Sequence, residues 1–162
     1  MDTLRRRIVL AAPVAGLSAL AAAGNAAFID AAPEIDAVLD RFFAAYTRMD
    51  VDALTALLSP DIEFEDPTFR LRLRGRDAMR TMMLDTAARY SAVAVTPHTR
   101  VVCGDRAATE QTIAAMVRTD ESPARRVAVR GASFFEFSAG RIRRWTDYYD
   151  ARTFTEQMRA WG

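Results

Sequence analysis

The stretch RRVAVRGASFFEFSAGRIRRWTDYYD, residues 125–150, decides the fold, because it contains two runs of alternating side chains with a turn between them. The turn lies at residues 138–140, and alternation with a period of two is typical of β-strands. Similar runs precede it at residues 91–103 and 106–118, separated by a short turn at residues 104–105. Three hairpins in succession predict an antiparallel meander of four strands.

The chain upstream of the meander has a mainly helical pattern. Apolar side chains recur at three- and four-residue spacing between residues 33 and 48, which predicts an amphipathic helix. Asp50 is predicted to be the N-cap of a second, short helix, which continues through Leu58 and ends near Pro60. The remaining predicted elements are a strand at residues 61–66, a short strand at 70–75, a third helix at about 76–90 and a closing helix at 152–161.

Helices followed by an antiparallel sheet predict a fold of the α+β class. We expect a cone-shaped roll, in which a curved and mostly antiparallel sheet wraps around the N-terminal helices. Such a cone has an interior pocket between the sheet and the helices, and this is a usual place for an apolar small molecule.

The N-terminus has the pattern of an export signal. Three arginines at residues 5–7 precede an uncharged stretch at residues 8–29, and small residues near Ala26 predict cleavage there. The arginines resemble the twin-arginine consensus, and ordinary Sec export is the competing route. A retained membrane anchor is a further alternative, because 22 uncharged residues can just span a bilayer. We therefore predict a signal at residues 1–26, a single domain at residues 27–162, and a periplasmic or secreted protein.

The composition excludes several kinds of chemistry. All 22 basic residues are arginines, so that a Schiff-base lysine and a phosphate-binding P-loop lysine are ruled out. With one cysteine and one histidine, the chain offers neither a Cys/His metal cluster nor an internal disulfide, and we expect no metal. A net charge of +1 argues against a nucleic-acid partner. Cys103 is predicted to be a buried apolar residue.

Two aspartates are the candidate catalytic residues. One face of the last strand carries Asp147 between two aromatic residues, Trp145 and Tyr149. Burial on that face raises the pKa of a carboxyl group, which suits a general acid or base, although alternation alone leaves open which face points inward. Asp66 shares a strand face with Phe64 and either points into the same pocket or caps the turn that follows it.

Two further polar residues lie on mostly apolar strand faces. Ser133 alternates with Val129 and Phe135, and Gln111 alternates with Ile113 on the neighbouring strand. If these faces point inward, Ser133 and Gln111 must form hydrogen bonds with each other, with water or with a ligand.

Three stretches of the chain resemble the nuclear transport factor 2-like superfamily, and specifically its SnoaL-like branch. They are FFAAYTRMDVDALTALLSPDIEFEDP at residues 42–67, RGRDAM at residues 74–79 and FFEFSAGRIRRWTDYYDARTF at residues 134–154. The resemblance covers about residues 34–160. It implies the fold more specifically than the activity, because the superfamily contains isomerases, hydrolases, cyclases and non-catalytic members.

Three enzyme types within this superfamily supply expectations for single residues. Similarity to ketosteroid isomerases places their general base at Asp66, whereas Phe42 and Ser133 stand where those enzymes have oxyanion-stabilising residues. Similarity to limonene epoxide hydrolases places an acid at Asp147, whereas Gln111 and Ile113 replace its charged companions. Polyketide cyclases of the SnoaL type resemble the chain in needing a pocket, a carboxylate and no cofactor.

The resemblance also implies which side chains face inward. Asp147, Trp145, Gln111 and Ser133 are placed inside the pocket, and the remaining expected ligand contacts are Tyr149, Phe135 and Phe42. One hypothesis is a cofactor-independent enzyme that transfers a proton on a small apolar molecule. The other is a non-catalytic ligand-binding or dimerisation module. Members of this fold commonly dimerise through the outer sheet face, where Arg130, Ala132 and Phe134 would lie, and a homodimer is therefore expected.

Overall fold

The computed structural model describes residues 34–120 and 122–159. The predicted signal at residues 1–26 lies outside these residues, and export therefore stays a prediction. The elements in chain order are α1 (34–48), α2 (Val51–Ala56), β1 (Leu58–Asp66), β2 (Leu71–Arg74), α3 (Arg76–Arg89), β3 (Tyr90–Cys103), β4 (Arg106–Thr119), β5 (Ser122–Ser138), β6 (Arg141–Tyr149) and α4 (Ala151–Arg159).

The six strands form one curved, unclosed sheet in the order β2-β1-β6-β5-β4-β3. Strands β3 to β6 are the predicted meander, in which each strand runs antiparallel to the next. Strand β1 pairs with β2 in the antiparallel direction and with β6 in the parallel direction. The predicted α+β roll with a mostly antiparallel sheet is confirmed.

Side-chain alternation places one face of β4, β5 and β6 inside the cone. In β6 the inward residues are Trp145 and Asp147, whereas Tyr148 is exposed on the outer face. The strand register aligns Asp147 with Ser133 of β5, and Ser133 with Thr109 of β4. All three are buried, so that the predicted inward placement of Asp147 and Ser133 is confirmed.

Helix α1 packs its apolar stripe against one end of this inner face. The Phe42 ring lies 5.3 Å from the Phe135 ring and 4.9 Å from the Trp145 ring, measured between centroids, in both cases edge to face. Such aromatic pairs stabilise a core beyond the area that they bury. Leu39 of α1 and Ile142 of β6 have no exposed surface in this core.

The boundary between α2 and β1 differs from the sequence prediction. Leu58 begins β1 instead of ending the helix, because it pairs with Ile142 of β6. The amide of Ile142 also donates a 2.9 Å hydrogen bond to the carbonyl of Leu57. Pro60 lies within β1 where the register with β6 shifts, which is a position where a strand tolerates a residue without an amide hydrogen.

The prediction that Cys103 is buried is wrong, because it is exposed at the end of β3, an edge strand of the sheet. The register between β3 and β4 shifts between Pro97 and Thr99, and both an edge strand and such an irregularity tolerate a proline. Within residues 34–120 and 122–159, none of the helices combines the length and the apolar character needed to cross a membrane.

Candidate functional site

A cavity of about 490 Å³ lies at the other end of the inner face, where α1 no longer covers the sheet. Its walls come from α1, β1, β2 and the turn between them, α3, the strands of the meander and α4. The residues that line it are Tyr46, Phe64, Asp66, Phe69, Leu71, Met82, Asp85, Thr86, Arg89, Tyr90, Ile113, Ala115, Val117, Val127, Val129, Trp145, Asp147, Tyr149 and Phe154. A mostly apolar wall with a few convergent polar groups is typical of a small-molecule site.

Asp147 is a buried acid in this wall, with only 2% of its surface exposed. Its Oδ1 atom accepts hydrogen bonds from the Ser133 hydroxyl and the Trp145 indole Nε1, both at 2.5 Å. Its Oδ2 atom accepts a 2.8 Å hydrogen bond from the Tyr149 hydroxyl. The two strand neighbours on the same face and one residue from the adjacent strand therefore fix the position of the carboxyl group.

A chain of buried hydrogen bonds extends from Asp147 across the sheet. The Thr109 hydroxyl donates to Gln111 Oε1 at 2.8 Å, and Gln111 Nε2 donates to the Ser133 hydroxyl at 2.6 Å. Ser133 in turn donates to Asp147. Every donor in this chain points toward the carboxylate, and aligned hydrogen bonds of this kind strengthen one another in a low-dielectric interior.

Burial raises the pKa of Asp147 to about 7. Loss of hydration is the largest cause, because an ionised carboxylate is poorly solvated in an apolar wall. The hydrogen bonds from Ser133, Tyr149 and Trp145 act in the opposite direction, and the negative charge of Asp66 raises the pKa further. A carboxyl group with this pKa can both accept and donate a proton near neutral pH.

Asp66 fulfils both roles that the sequence left open. Its Oδ1 atom accepts a 3.1 Å hydrogen bond from the amide of Phe69 and so caps the turn after β1. The side chain is also 6% exposed and lines the cavity. Loss of hydration raises the pKa of Asp66, and hydrogen bonds from the turn oppose that rise.

Tyr149 is held in place by two residues that the sequence reasoning did not identify. Thr68 accepts a hydrogen bond from the Tyr149 amide at 3.0 Å and donates to its carbonyl at 3.4 Å. Gly131 lies opposite Tyr149 in the sheet, and a Cβ atom at this position would lie 2.5 Å from the Tyr149 ring and 2.6 Å from the Tyr148 carbonyl. The absence of a side chain at Gly131 therefore lets the ring reach Asp147.

Tyr46 is a further wall residue whose role the sequence did not reveal. Its position in the apolar stripe of α1 indicates a core residue, yet the side chain lies where α1 meets the cavity. No hydrogen bond joins its hydroxyl to another residue within the described part of the chain. Burial, together with the negative charge of Asp147, raises the pKa of Tyr46 well above its ordinary value and keeps the phenol protonated.

The predicted ligand contacts lie in three different places. Trp145 and Tyr149 line the cavity beside Asp147, as expected for ligand contacts. Gln111 and Ser133 lie behind the acid and connect it to the sheet. Phe42 of α1 and Phe135 of β5 pack against Trp145 in the core and are not among the residues that line the cavity. Direct ligand contact stays a prediction for all six residues.

The rim of the cavity is formed by three elements. The ring of Phe69, in the turn between β1 and β2, contacts the ring of Phe154 in α4 with their centroids 5.4 Å apart. On α3, Arg89 Nε lies 3.3 Å from Asp85 Oδ1.

Across the described residues, no cluster of three or more His, Cys, Asp or Glu side chains could hold a metal ion.

Comparison with solved structures identifies the same architecture in other proteins. An LEH-like epoxide hydrolase of M. tuberculosis is 26% identical, with 78% of this chain and 91% of that chain covered at a TM-score of 0.67. A Shewanella denitrificans protein described as a SnoaL-like polyketide cyclase is 14% identical, with 78% and 97% covered at a TM-score of 0.72. A Catenulispora acidiphila protein with a ketosteroid isomerase-like fold is 22% identical, with 74% and 90% covered at 0.66.

Sequence comparison identifies the family to which the chain belongs. No curated protein matches the chain significantly. The family model described as "SnoaL-like domain" matches residues 39–145, a range that extends from α1 to the first residue of the Trp145–Asp147–Tyr149 group. The chain therefore belongs to the SnoaL-like domain family, within the nuclear transport factor 2-like superfamily.

Proposed function

We propose that this protein is a cofactor-independent enzyme that transfers a proton on a small, largely apolar molecule, with Asp147 as the acid–base group. The observation that carries the proposal is the position of Asp147, which is buried in the wall of an apolar cavity and contacted by three side-chain donors. Isomerisation, cyclisation and hydrolysis all include such a proton transfer.

The hydrogen bonds define what Asp147 can do in each protonation state. When ionised, it can remove a proton from a bound molecule, because Ser133, Trp145 and Tyr149 stabilise the charge without adding a proton of their own. When protonated, it can return that proton to another atom of the same molecule. A pKa of about 7 makes both forms available at neutral pH.

Two other wall residues can assist this step. The neutral Tyr46 phenol can donate a hydrogen bond to a substrate oxygen on which negative charge develops, which lowers the barrier to proton removal. Asp66 supplies a second carboxyl group in the same cavity, and it can exchange a proton with the substrate at another position. In this mechanism Asp147 and Asp66 are the catalytic residues, and Gln111 is a positioning residue that acts through Ser133.

The test is turnover of a panel of small ketones, enones and epoxides, followed by NMR in D₂O and in H₂O. We expect at least one compound to exchange a carbon-bound proton or to react, with a kcat/KM profile that has an inflection near pH 7. Asp147→Asn should reduce kcat at least about 100-fold, which is the usual contribution of a general acid or base. Glu65→Gln is the matched control, because it removes a carboxylate from the outer face of β1.

Two results would contradict the proposal. One is a pKa of Asp147 near 4 in the folded protein, measured by carboxyl ¹³C NMR. The other is turnover that Asp147→Asn leaves unchanged.

A second candidate is a non-catalytic, dimeric ligand-binding module. The dimeric part of this candidate is favoured by the outer sheet face, where Phe134 and Tyr148 are 51% and 48% exposed and contact each other edge to face at 6.0 Å. An exposed aromatic pair on a sheet face is typical of a protein–protein interface. Analytical ultracentrifugation should detect a dimer that Phe134→Glu dissociates. A monomer at all concentrations would contradict the dimer, and catalytic turnover that depends on Asp147 would contradict the absence of catalysis.

A further inference from the structure

The charged side chains in the interior of the cavity are acidic. Asp66 and Asp147 both line its interior, and both are almost fully buried. Among the described lining residues the one cation is Arg89, which lies at the rim with 46% of its side chain exposed and is paired with Asp85. The interior therefore contains two acids and no basic side chain from this set of lining residues to offset them.

The same wall is rich in aromatic rings. Among the described residues of this wall, seven side chains are aromatic, namely Tyr46, Phe64, Phe69, Tyr90, Trp145, Tyr149 and Phe154. The face of an aromatic ring carries negative electrostatic potential and attracts a weakly hydrated cation, most strongly when the cation has left bulk water. An aromatic wall beside acidic groups is thus complementary to an organic cation that also has apolar surface.

We propose that the cavity binds its ligand through a substituted ammonium group, tertiary or quaternary, placed between Asp66 and Asp147 and against the aromatic rings. This inference rests on the proposed function, since it names the ligand class of the same site. Methyl groups on the nitrogen would contact the apolar wall, and the positive charge would be offset by the two carboxylates. Inorganic cations and primary amines fit less well, because they lose more hydration on entering an apolar cavity.

Binding of such a cation should be coupled to the ionisation of Asp147. Besides Asp147, the titratable side chains that line the cavity are Tyr46 of α1, Asp66 of β1, Asp85 and Arg89 of α3, Tyr90 of β3 and Tyr149 of β6. The three tyrosines stay neutral at physiological pH because burial raises the pKa of each. The side chains that line the cavity from β4, β5 and α4 are apolar. A cation favours the carboxylate form of Asp147, and its affinity should therefore increase as the pH rises through 7.

Choline and 3,3-dimethylbutan-1-ol provide a direct test, because they have the same shape and differ by one positive charge. Binding would be measured with the full-length protein by NMR titration at pH 6 and pH 8. We expect choline to bind about ten-fold more tightly than the alcohol at pH 8. For a carboxyl group with a pKa of about 7, the ionised fraction also increases about ten-fold between these pH values, and choline affinity should follow it.

Two variants assign the effect to the carboxylates. Asp66→Asn should weaken choline binding without changing the alcohol, because asparagine keeps the oxygen that caps the turn. Asp147→Asn should weaken choline binding and abolish its pH dependence. Glu65→Gln, which removes the outward-facing neighbour of Asp66, should leave both ligands unaffected. If Asp147→Asn does not fold, Asp66→Asn alone decides the question.

The outcomes separate this inference from the proposed function. Equal affinity for choline and the alcohol, no choline binding at either pH, or an unchanged choline affinity in Asp66→Asn would overturn the inference and leave proton transfer intact. A pKa of Asp147 near 4 in the free protein, together with a preference for choline, would instead overturn acid–base catalysis and support cation binding.

Discussion

The inner face of the sheet is packed with side chains at one end and open at the other, although the same strands form both ends. In the packed half, Phe135 and Trp145 lie side by side on β5 and β6 and are covered by Phe42 of α1. In the open half, Ile113 and Val129 are paired on β4 and β5, yet they line the cavity. Strand alternation is the same in both halves, so the presence of α1 causes the difference.

The row that contains Thr109, Ser133 and Asp147 separates the two halves. Buried polar groups are costly unless they are paired, and here Gln111 links Thr109 to Ser133, which in turn donates to Asp147. The last member of the row, Asp147, is the one that reaches the cavity. The hydrogen bonds within the sheet therefore fix the position of the Asp147 carboxyl group, and the open half leaves that group in the wall of the cavity.

The largest expected difference between the halves concerns aromatic truncation. Phe135→Ala removes a ring that is 1% exposed in the packed half, and it should lower the free energy of unfolding by about 3–5 kcal/mol. Phe154→Ala removes a half-buried ring at the cavity rim and should cost less than about 1.5 kcal/mol, because little packing is lost. Urea denaturation measures both. Equal losses would show that the open half is packed as tightly as the other.

The second prediction concerns the dependence of stability on pH. The folded-state pKa of Asp147, about 7, lies above its unfolded value near 4, so that the folded protein binds more protons between these pH values. The contribution of Asp147 to the free energy of unfolding is therefore largest below pH 4 and is lost as the pH rises through 7. The loss amounts to as much as about 4 kcal/mol.

Asp147→Asn isolates this contribution, because asparagine does not titrate. The difference in the free energy of unfolding between the wild-type protein and the variant should change between pH 4 and pH 8, in the direction that favours the variant at pH 8. Urea denaturation across this range measures the difference. A constant difference would mean that Asp147 ionises with an ordinary pKa, and the boundary between the two halves would then be solvated.

Gly131→Ala tests how the sheet positions Tyr149 at this boundary. The added Cβ atom would collide with the Tyr149 ring and with the Tyr148 carbonyl, and the variant should lose about 1–3 kcal/mol of stability. Displacement of Tyr149 also removes a donor that lowers the pKa of Asp147, so that this pKa should rise. Tyr149→Phe is the matched variant, because it removes the hydroxyl without the collision. A pKa that rises in Tyr149→Phe and stays unchanged in Gly131→Ala would show that Gly131 has no positioning role.

Local sequence patterns were sufficient to predict most of the fold and to select Asp66 and Asp147 as the candidate acids. Alternation within residues 91–150 predicted the meander, and the Trp145–Asp147–Tyr149 spacing predicted an acid between two aromatic rings on one face. Alternation alone could not decide which face is inside, because both faces of β6 carry aromatic residues. The packing of α1 against Trp145 settles that question.

The parts that the sequence could not predict depend on contacts between distant residues. Leu58 has the spacing of a helical residue, but its partner Ile142 lies in a strand more than 80 residues later in the chain. Tyr46 has the same spacing in the sequence as the apolar residues of α1 that lie in the core. Its place in the cavity wall is evident only from the structure, because the cavity begins where the packed half ends. Gly131 became recognisable only from the ring that lies opposite it.

The smallest predicted effect is the loss of stability when one methyl group is removed from each of the two halves. Ile142→Val in β6 removes a methyl group from a site with no exposed surface, where the neighbours cannot collapse fully, and should cost about 1 kcal/mol. Ile113→Val in β4 removes the same group from the cavity wall, where the space is already open, and should cost only a few tenths of a kcal/mol. Both residues are in strands of the same sheet, which cancels differences in backbone preference. A loss at Ile113 as large as that at Ile142 would mean that the cavity closes around Ile113 in solution, and the distinction between a packed and an open half would then fail.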